Sequence, residues 1–579
     1  MMLSSQLRRR ALLASAVAGA LLFASGACAT PVKNVIILIP DGNHTSVQTL
    51  ARWYRGAPLA VDEMGAGTMS TDMVNSVITG SAAAATAQST SYKTTVRFLG
   101  IGPRPDDALS TYQLPEGIPA VGDEARWNWL AYRPMATVLE GAQQVGKATG
   151  LISTSRITHA TPAGYAVHVD DRGKDNEIME QLVYQGLDVV FGGGGRHLLP
   201  ESEGGRRTDG ENLAEVLRER GYQLPETADE LAALSSGRAW GMFASSHMMP
   251  DLDRRYRLSQ GEPVTEPSLA EMTAKAIELL SQHPDGFFLV VEASQVDWAG
   301  HATDPIYHLQ DFLAFDDAVR VALEFAKQDG ETLLLGAPDH NTGAMTIGNW
   351  STSRTYTGIT VEELLDPLRG MKVTSGYLAA QLPDEPDAAA IKATVADYWG
   401  IALSDEDVAE IQTEAEAVGY TYAIAKVVSA NHTVFGWTTH GHTGEDVTLW
   451  SYGPMAPVGQ LDNTELGLAV ASAFDLNLDL GDPQGLNQAL FVDAEEAFPG
   501  QTRTDLSDPE NPVLEISHWR LPANKDQMQM MRFGRTCQLD GLVVYAPEAN
   551  EGLGRWFIPR KAVELTRNPR LWFTEECRR

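Results

Sequence analysis

Asn34-Val35-Ile36-Ile37-Leu38-Ile39-Pro40-Asp41-Gly42 is the stretch on which the fold turns. Val35 to Ile39 are all aliphatic and do not alternate with polar residues, the pattern of a strand covered on both faces. Asn34–Ile39 therefore reads as a buried strand that ends in a carboxylate. Runs of the same kind recur at Thr149–Ile152, Asp188–Phe191, Phe287–Val291, Thr332–Leu335 and Val447–Tyr452. Helical patterns lie between them. Ser268–Leu280 carries Leu269, Met272, Ala276 and Leu279 on one side, and His308–Ala326 carries Phe312, Phe315, Val319 and Leu323. Strands alternating with helices predict an α/β class, a three-layer α/β/α sandwich around a mainly parallel central sheet. Ligands of such sheets bind beyond the carboxyl ends of the strands, so chemistry is expected just after each apolar run.

Two stretches interrupt the rhythm. Residues 100–133, rich in Pro, Gly and Trp, read as an insertion, and residues 344–436 as a larger inserted subdomain with helices at Ala388–Tyr398 and Asp405–Val418. After residue 480 the texture changes to short strand-like pieces at Val513–Trp519, Met528–Phe533, Gly541–Tyr545 and Arg555–Pro559. The expected organisation is a signal peptide over 1–29, a main domain over 30–479 and a small β-rich appendage over 480–579. The appendage tryptophans Trp519, Trp556 and Trp572 are candidates for an exposed contact surface.

The chain has 579 residues, 43% of them hydrophobic and 21% charged, which suits a globular protein. Lys and Arg total 44 against 76 Asp and Glu, a net charge of −32. Such a surface repels nucleic-acid backbones and anionic lipid, so an anionic substrate must be drawn by local positive charge. Three cysteines exclude both a disulfide scaffold and a Cys-rich zinc module. Arg8-Arg9-Arg10, the apolar run Ala11–Phe23 and Ala27-Cys28-Ala29 form an export signal, by the twin-arginine or the general route. Ser25-Gly26-Ala27 lacks the large aliphatic residue that lipoprotein anchoring at Cys28 needs. Removing the segment takes away three arginines and no acids, leaving about −35. No later apolar run reaches the roughly 20 residues of a membrane span. A periplasmic or secreted protein is expected, with Cys537 and Cys577 joined in an oxidising compartment.

Candidate functional residues follow the strands. Asp41-Gly42 follows the first. Ile78-Thr79-Gly80-Ser81 leads into Ala82-Ala83-Ala84-Ala85-Thr86-Ala87, so Ser81 stands at a helix start, where unpaired N–H groups and the positive dipole end attract an anion. No G-x-S-x-G elbow surrounds it to support a serine esterase. Glu292 follows Phe287–Val291. Asp297 and His301, four residues apart, share one face of a helical turn and can share a zinc ion. Asp339-His340 follows Thr332–Leu335. His440-Gly441-His442 precedes Val447–Tyr452, and either histidine is a candidate ligand. His159-Ala160-Thr161-Pro162 and His168-Val169-Asp170-Asp171-Arg172 follow Thr149–Ile152. Singly, each has an ordinary explanation: an Asp-Gly turn, a serine N-cap, an accidental D-x-x-x-H, a solvated loop. Jointly they can converge only if their strands lie side by side, which a parallel sheet provides. Mixed Asp/His sets suit Zn²⁺, and an oxygen set of Asp, Glu and Thr suits Mg²⁺.

These motifs, in this order, resemble the alkaline phosphatase family over about residues 33–478, with the two insertions set aside. Leu461-Asp462-Asn463-Thr464-Glu465-Leu466-Gly467 is similar to the family's closing helix. The resemblance implies that Ser81 is the nucleophile that becomes phosphorylated and that Arg172 grips two phosphate oxygens. It implies Asp297, His301 and His442 as ligands of a first zinc and Asp41, Asp339 and His340 as ligands of a second. Asp41 would bridge to a third metal, usually magnesium, completed by Thr161 and Glu292. Departures exist. Gly80 stands where many members place an Asp that holds the arginine, so Arg172 is expected to be less fixed. His159 and Trp298 stand where some members carry Asp and Lys, which bears on the metal preferred at the third site. Gly192–Gly195 is expected to be a surface turn, since no G-K-[ST] follows.

The implied activity is hydrolysis of small phosphate monoesters to alcohol and inorganic phosphate through a phosphoserine, at two Zn²⁺ and one Mg²⁺, with a homodimer as an allowed assembly. The positive charge of the ions and Arg172 would overcome the acidic surface, and the need for a deprotonated serine would give an alkaline optimum. The rivals are a phosphodiesterase or sulfatase on the same scaffold and a non-catalytic metal- or phosphate-binding protein. Sulfatases need a modified Cys or Ser in a C/S-x-P-x-R context, which Ser81-Ala82-Ala83-Ala84 lacks. Related diesterases lack the third site, for which Thr161 and Glu292 are present. A non-catalytic binder accounts for neither Ser81 nor the full ligand set.

Overall fold

The run from Asn34 lies in the middle of a nine-stranded sheet in the computed structural model, which describes residues 31–118, 122–531, 534–573 and 577–578. In chain order the sheet strands are Asn34–Pro40 (β1), Gly65–Ser70 (β2), Ala148–Arg156 (β3), Val189–Gly193 (β4), Ala239–Ala244 (β5), Phe287–Ala293 (β6), Thr332–Gly336 (β7), Val447–Tyr452 (β8) and Gly459–Asp462 (β9). They lie side by side as β9-β2-β8-β7-β1-β6-β3-β4-β5. Only β8 runs against its neighbours β2 and β7; the other pairings are parallel. The lack of alternation in β1 has a direct cause. Ile36 and Leu38 enter the apolar core on one face of the sheet, and Val35, Ile37 and Ile39 enter the core on the other. Both faces are covered, so neither set of side chains can be polar.

All six runs read as strands lie in this sheet. Strands β2, β5 and β9 carry no such signal. In β2 the reason is close approach: a Cβ on Gly67 would lie 2.0 Å from the Gly459 carbonyl oxygen, so the strand cannot carry the branched residues that mark one. Helix Leu269–Leu280 starts on a capping box between Ser268 and Glu271. The helix read from His308 begins earlier, at Pro305, with Asp304 as its cap and Pro at the first turn.

The 344–436 insertion is helical, with Val361–Gly370, Ser375–Ala379, Ala388–Trp399 and Asp405–His432. The last helix runs past Val418, broken by the non-helical Gly419. Its root is closed by the short pair Thr346–Ile347 and Phe435–Gly436, and Leu364, Ile391 and Val428 join the core shared with Ile36 and Leu38.

After residue 480 there are two antiparallel sheets, one of three strands and one of six. The stretch Val513–Trp519 is not a single strand: Val513–Ile516 and Trp519–Pro522 pair as a hairpin that turns at Ser517, where φ is 59°. Phe533, at the end of another expected strand, lies outside the described residues. Trp519 and Trp556 are not exposed. Both are buried in the apolar cluster of the tail, with Trp572 edge-on to Trp519 at 5.8 Å, because a small sheet needs large side chains to fill its one core. Cys537 and Cys577 are joined by a disulfide. The tail also meets the main domain directly. Phe491, Val544 and Phe557 belong to the same core as Val35 and Ile37, and Asn524 donates to Glu180 at 3.0 Å while Arg220 clasps Asp526.

Candidate active site

β1, β6 and β7 are adjacent, so the residues after them meet at one sheet edge. β1 delivers Asp41, β6 delivers Glu292, and the turn after β7 delivers Asp339 and His340. The turn at Gly42 has φ 68°, and a Cβ there would lie 2.8 Å from Asp297 Oδ1, so only glycine lets the backbone pass this close. His442–Thr443 pairs with Asn341–Thr342 and so joins the same edge.

Three ligand groups result, each with its donor atoms within 4.8 Å of one another: Asp297, His301 and His442; Asp41, Asp339 and His340; and Asp41, His159 and Glu292. Asp41 is common to two of them. Thr161 Oγ1 donates to Asp41 Oδ2 at 3.3 Å and so stands at the third group. Ser81, buried as the first residue of helix Ser81–Thr90, has its Oγ 3.2 Å from His340 Nε2. Ser81, Thr161 and the ligand candidates therefore meet at this edge, whereas His440 is no member of a ligand group, His168 bonds Glu140, and Asp170 and Asp171 pair with Lys174 and Arg97. The His440 carbonyl accepts from His301 Nδ1 at 2.5 Å, and His442 Nδ1 lies 2.9 Å from the Thr79 carbonyl. Each ring thus spends one nitrogen on the backbone and keeps Nε2 for a ligand.

Supporting residues without a sequence signal of their own complete the site. Thr342 donates to Asp297 Oδ1 at 2.6 Å. Ser153, opposite Glu292 in the β3–β6 register, donates to its Oε2 at 2.5 Å. His247 packs edge-on to Trp298, with ring centres 4.3 Å apart, and lies against Arg156. Only the residue just past a strand end was a cue to Ser153; Thr342 and His247 had none.

Arg172 is held, but not from position 80. Its Nη2 donates to His159 Nε2 at 2.9 Å. Burial, then the Arg172 charge, push the His159 imidazolium well down, so the ring is neutral and accepts. A neutral ring is a weaker partner for a guanidinium than a carboxylate would be.

The site is crowded with negative charge. Burial, then Asp339, Asp297 and Glu292, push the Asp41 carboxyl well above the usual range. Burial pushes Glu292 up to about 7 against its serine hydrogen bonds. Burial also acts to raise Asp297, but His301, His340 and His442 outweigh it and hold that carboxyl down. Asp297 in turn lifts His301 to about 9 against its burial. Asp41 Oδ1, Asp339 Oδ2 and Glu292 Oε1 are buried without a hydrogen-bond partner. Unpaired buried acceptors are costly unless a cation answers them, so the donor set fits divalent ions. A fourth acidic cluster, Glu180, Asp209 and Glu211, does not, because Lys525 and Arg207 already fill it.

The model of the alkaline phosphatase family matches residues 32–476. The chain belongs to the alkaline phosphatase family. Alkaline phosphatase 3 of Bacillus subtilis is 32% identical over 477 residues, which are 78% of this chain and 91% of that one. The repressible alkaline phosphatase of Saccharomyces cerevisiae is 28% identical, over 77% of this chain and 82% of its own. The crystal structure of Thermus thermophilus alkaline phosphatase superposes with a TM-score of 0.64 at 27% identity, covering 77% of this chain and 91% of that one. As an alkaline phosphatase the chain is an enzyme that hydrolyses phosphate monoesters. Among its described residues no helix is long and apolar enough to cross a membrane.

Proposed function

We propose that this alkaline phosphatase works through a phosphoserine at Ser81, with Zn²⁺ at Asp297/His301/His442 and at Asp41/Asp339/His340, and Mg²⁺ at Asp41/Thr161/Glu292. The observation that carries the reading is Ser81 Oγ at a helix start, 3.2 Å from His340 within this ligand set. When bound, the ions supply the positive charge that draws in a phosphate dianion and favours the ionised serine. The chain's own groups do the rest. The N–H groups at the start of helix Ser81–Thr90 face the phosphate region, and Arg172 can take two phosphate oxygens in its fork. Ser81 Oγ attacks phosphorus as the bond to the alcohol oxygen breaks, and the alcohol leaves. Water then attacks the phosphoserine from the vacated side, releasing inorganic phosphate and restoring Ser81. Turnover of p-nitrophenyl phosphate against bis-p-nitrophenyl phosphate tests the reading; preference for the diester overturns it in favour of a phosphodiesterase, and turnover of neither favours a non-catalytic binder.

Arg172→Ala is expected to weaken competitive inhibition by inorganic phosphate roughly tenfold to a hundredfold, the equivalent of about 1.5–3 kcal/mol for hydrogen bonds to a charged group. An unchanged inhibition constant would remove Arg172 from the phosphate site.

We propose export as well, carried by the Arg8–Arg10 and Ala27–Ala29 pattern, which lies outside the described residues. N-terminal sequencing of the mature protein checks it, and a start at Met1 overturns it. Residues 480–579 are proposed as an accessory module for attachment, assembly or stability, supported by the separate apolar cluster of the six-stranded sheet. Because Phe491, Val544 and Phe557 pack in the main core, truncation after residue 480 is expected to lower the melting temperature while turnover per folded molecule stays near normal. A large loss of turnover in a folded, metallated truncation would instead make the tail part of the site.

A further inference from the structure

The histidines of the two histidine–aspartate groups sit on three segments whose backbones meet at Gly343. His301 lies on helix Gln295–Ala302 beside Gly300, His340 lies shortly before Gly343, and His442 follows Gly441. The Gly343 N–H donates to the Gly441 carbonyl at 2.9 Å. A Cβ on Gly343 would lie 2.7 Å from the Gly300 carbonyl oxygen, and a Cβ on Gly300 would lie 2.7 Å from the Thr342 carbonyl oxygen. Side chains are therefore excluded where the three segments cross, and the contacts between them are backbone on backbone. Two histidine bonds tie the same segments, His301 Nδ1 to the His440 carbonyl at 2.5 Å and His440 Nδ1 to the His301 carbonyl at 2.9 Å. Thr342, next to Gly343, also donates to Asp297 Oδ1 at 2.6 Å, so a shift of this junction moves a carboxylate ligand as well as the rings.

A single indole bears on this junction. A Cβ on Gly343 would lie 2.7 Å from Trp437 Cε3 and 2.8 Å from its Cζ3, so the ring rests directly on the Gly343 backbone. The Thr438 N–H donates to the Gly343 carbonyl at 2.9 Å, which keeps the chain leaving Trp437 on Gly343 as it runs to Gly441 and His442. The indole is itself held from two other directions. Its Nε1 donates at 2.8 Å to Ser429 Oγ, on helix Asp405–His432 of the insertion. Its face stacks on His308, of helix Pro305–Asp329, with ring centres 6.0 Å apart. His308 is fully buried and has no hydrogen bond on either ring nitrogen, so it serves the indole as a flat surface. Trp437 is thus wedged between two long helices and the backbone that connects His340 to His442. Asp41, Thr161 and Glu292, by contrast, come from segments other than the three that meet at Gly343.

We propose that Trp437 is a positioning residue for the zinc ligands: by bearing on Gly343 it keeps His301, His340 and His442 in register for metal, and it ties that register to the 344–436 insertion. The role rests on the metal assignment above, and Trp437 is itself no ligand. The test is the zinc affinity of metal-free, full-length protein, read by competition with a chromogenic chelator and so independent of turnover. Trp437→Ala is expected to weaken zinc binding by about tenfold to a hundredfold, the scale for removing a residue that orients metal ligands. Trp437→Phe keeps a flat ring between Gly343 and His308 and is expected to stay within about threefold of wild type. The Mg²⁺ concentration that gives half of its increment in the zinc-loaded enzyme is expected to move by less than about threefold in either variant, because its ligands lie on other segments. A merely structural tryptophan would lower the melting temperature of metal-free protein and leave the zinc constants alone. Unchanged zinc affinity in folded Trp437→Ala, equal weakening of zinc and magnesium, or Trp437→Phe as poor as Trp437→Ala would each overturn the role. If Trp437→Ala does not fold, Trp437→Leu, which keeps apolar bulk without a flat face, takes its place with the same expectation. Zinc binding that depends on Trp437 in an enzyme that cleaves no monoester would overturn the mechanism and support the positioning role. A wild type that turns over but binds no zinc would overturn the metal assignment and the role with it.

Discussion

Ser81→Ala lowers turnover of p-nitrophenyl phosphate by about a thousandfold or more, while bound metal stays at the wild-type level: this is the largest single-residue effect expected of the molecule. The reasoning is geometric. Ser81 is buried at the first position of its helix, makes no capping bond that would explain its presence, and reaches His340 instead. It belongs to none of the three ligand groups, so removing one oxygen leaves the donors of those groups in place. A ligand substitution such as Asp339→Asn would lower activity too, but with loss of metal, and that split separates the two roles. Quenching at low pH with labelled substrate should trap phosphate on Ser81. Phosphate trapped on another residue would overturn the assignment.

Chelation is expected to abolish activity, Zn²⁺ to restore it, and Mg²⁺ to add a further increment. Four carboxylates, from Asp41, Glu292, Asp297 and Asp339, are buried at this one sheet edge, and three of them leave an oxygen without a hydrogen-bond partner. Burial and mutual repulsion already push Asp41 well up and Glu292 up to about 7, which is the electrostatic cost that bound cations offset. Metal-free protein is therefore expected to melt at a lower temperature as well as to lose turnover, since an ion that binds only the folded chain stabilises it by mass action. The measurements are metal content, melting temperature and rate before and after dialysis against chelator, then on titration with each ion. Full activity in chelated protein of verified low metal content would sink the metal assignment, whatever the melting temperature did.

How much of this was legible beforehand depended on whether the cause was local. The apolar runs of β1, β3, β4, β6, β7 and β8 showed because a strand covered on both faces has no place for polar side chains. Asp304-Pro305, ahead of the helix read from His308, carried an equally local start signal that hydrophobic spacing alone passed over. Strand β2 was invisible because its glycine is demanded by the Gly459 backbone beside it, nearly 400 residues away in sequence. The choice between His440 and His442 could not be made locally either, since both stand in the same polar loop. What separates them is where a distant carbonyl holds each ring: that of Thr79 holds His442 beside Asp297 and His301, while that of His301 holds His440 outside the group.

By itself, then, the sequence determined the class of fold and the sheet edge at which chemistry would occur, because strand burial and helix starts are written in neighbouring residues, while the set Asp41, Ser81, Thr161, Arg172, Glu292, Asp297, His301, Asp339, His340 and His442 was an expectation carried by the resemblance of the ordered motifs to a family. Tertiary structure alone decided which of these groups share an atom's reach, that His159 accepts from Arg172, that Thr342 and Ser153 bond Asp297 and Glu292, and that Trp519 and Trp556 are core while Trp350 is exposed. The physical reason is the same throughout: a side chain's partner is set by whichever segment packs opposite it, and that segment can lie anywhere in the chain.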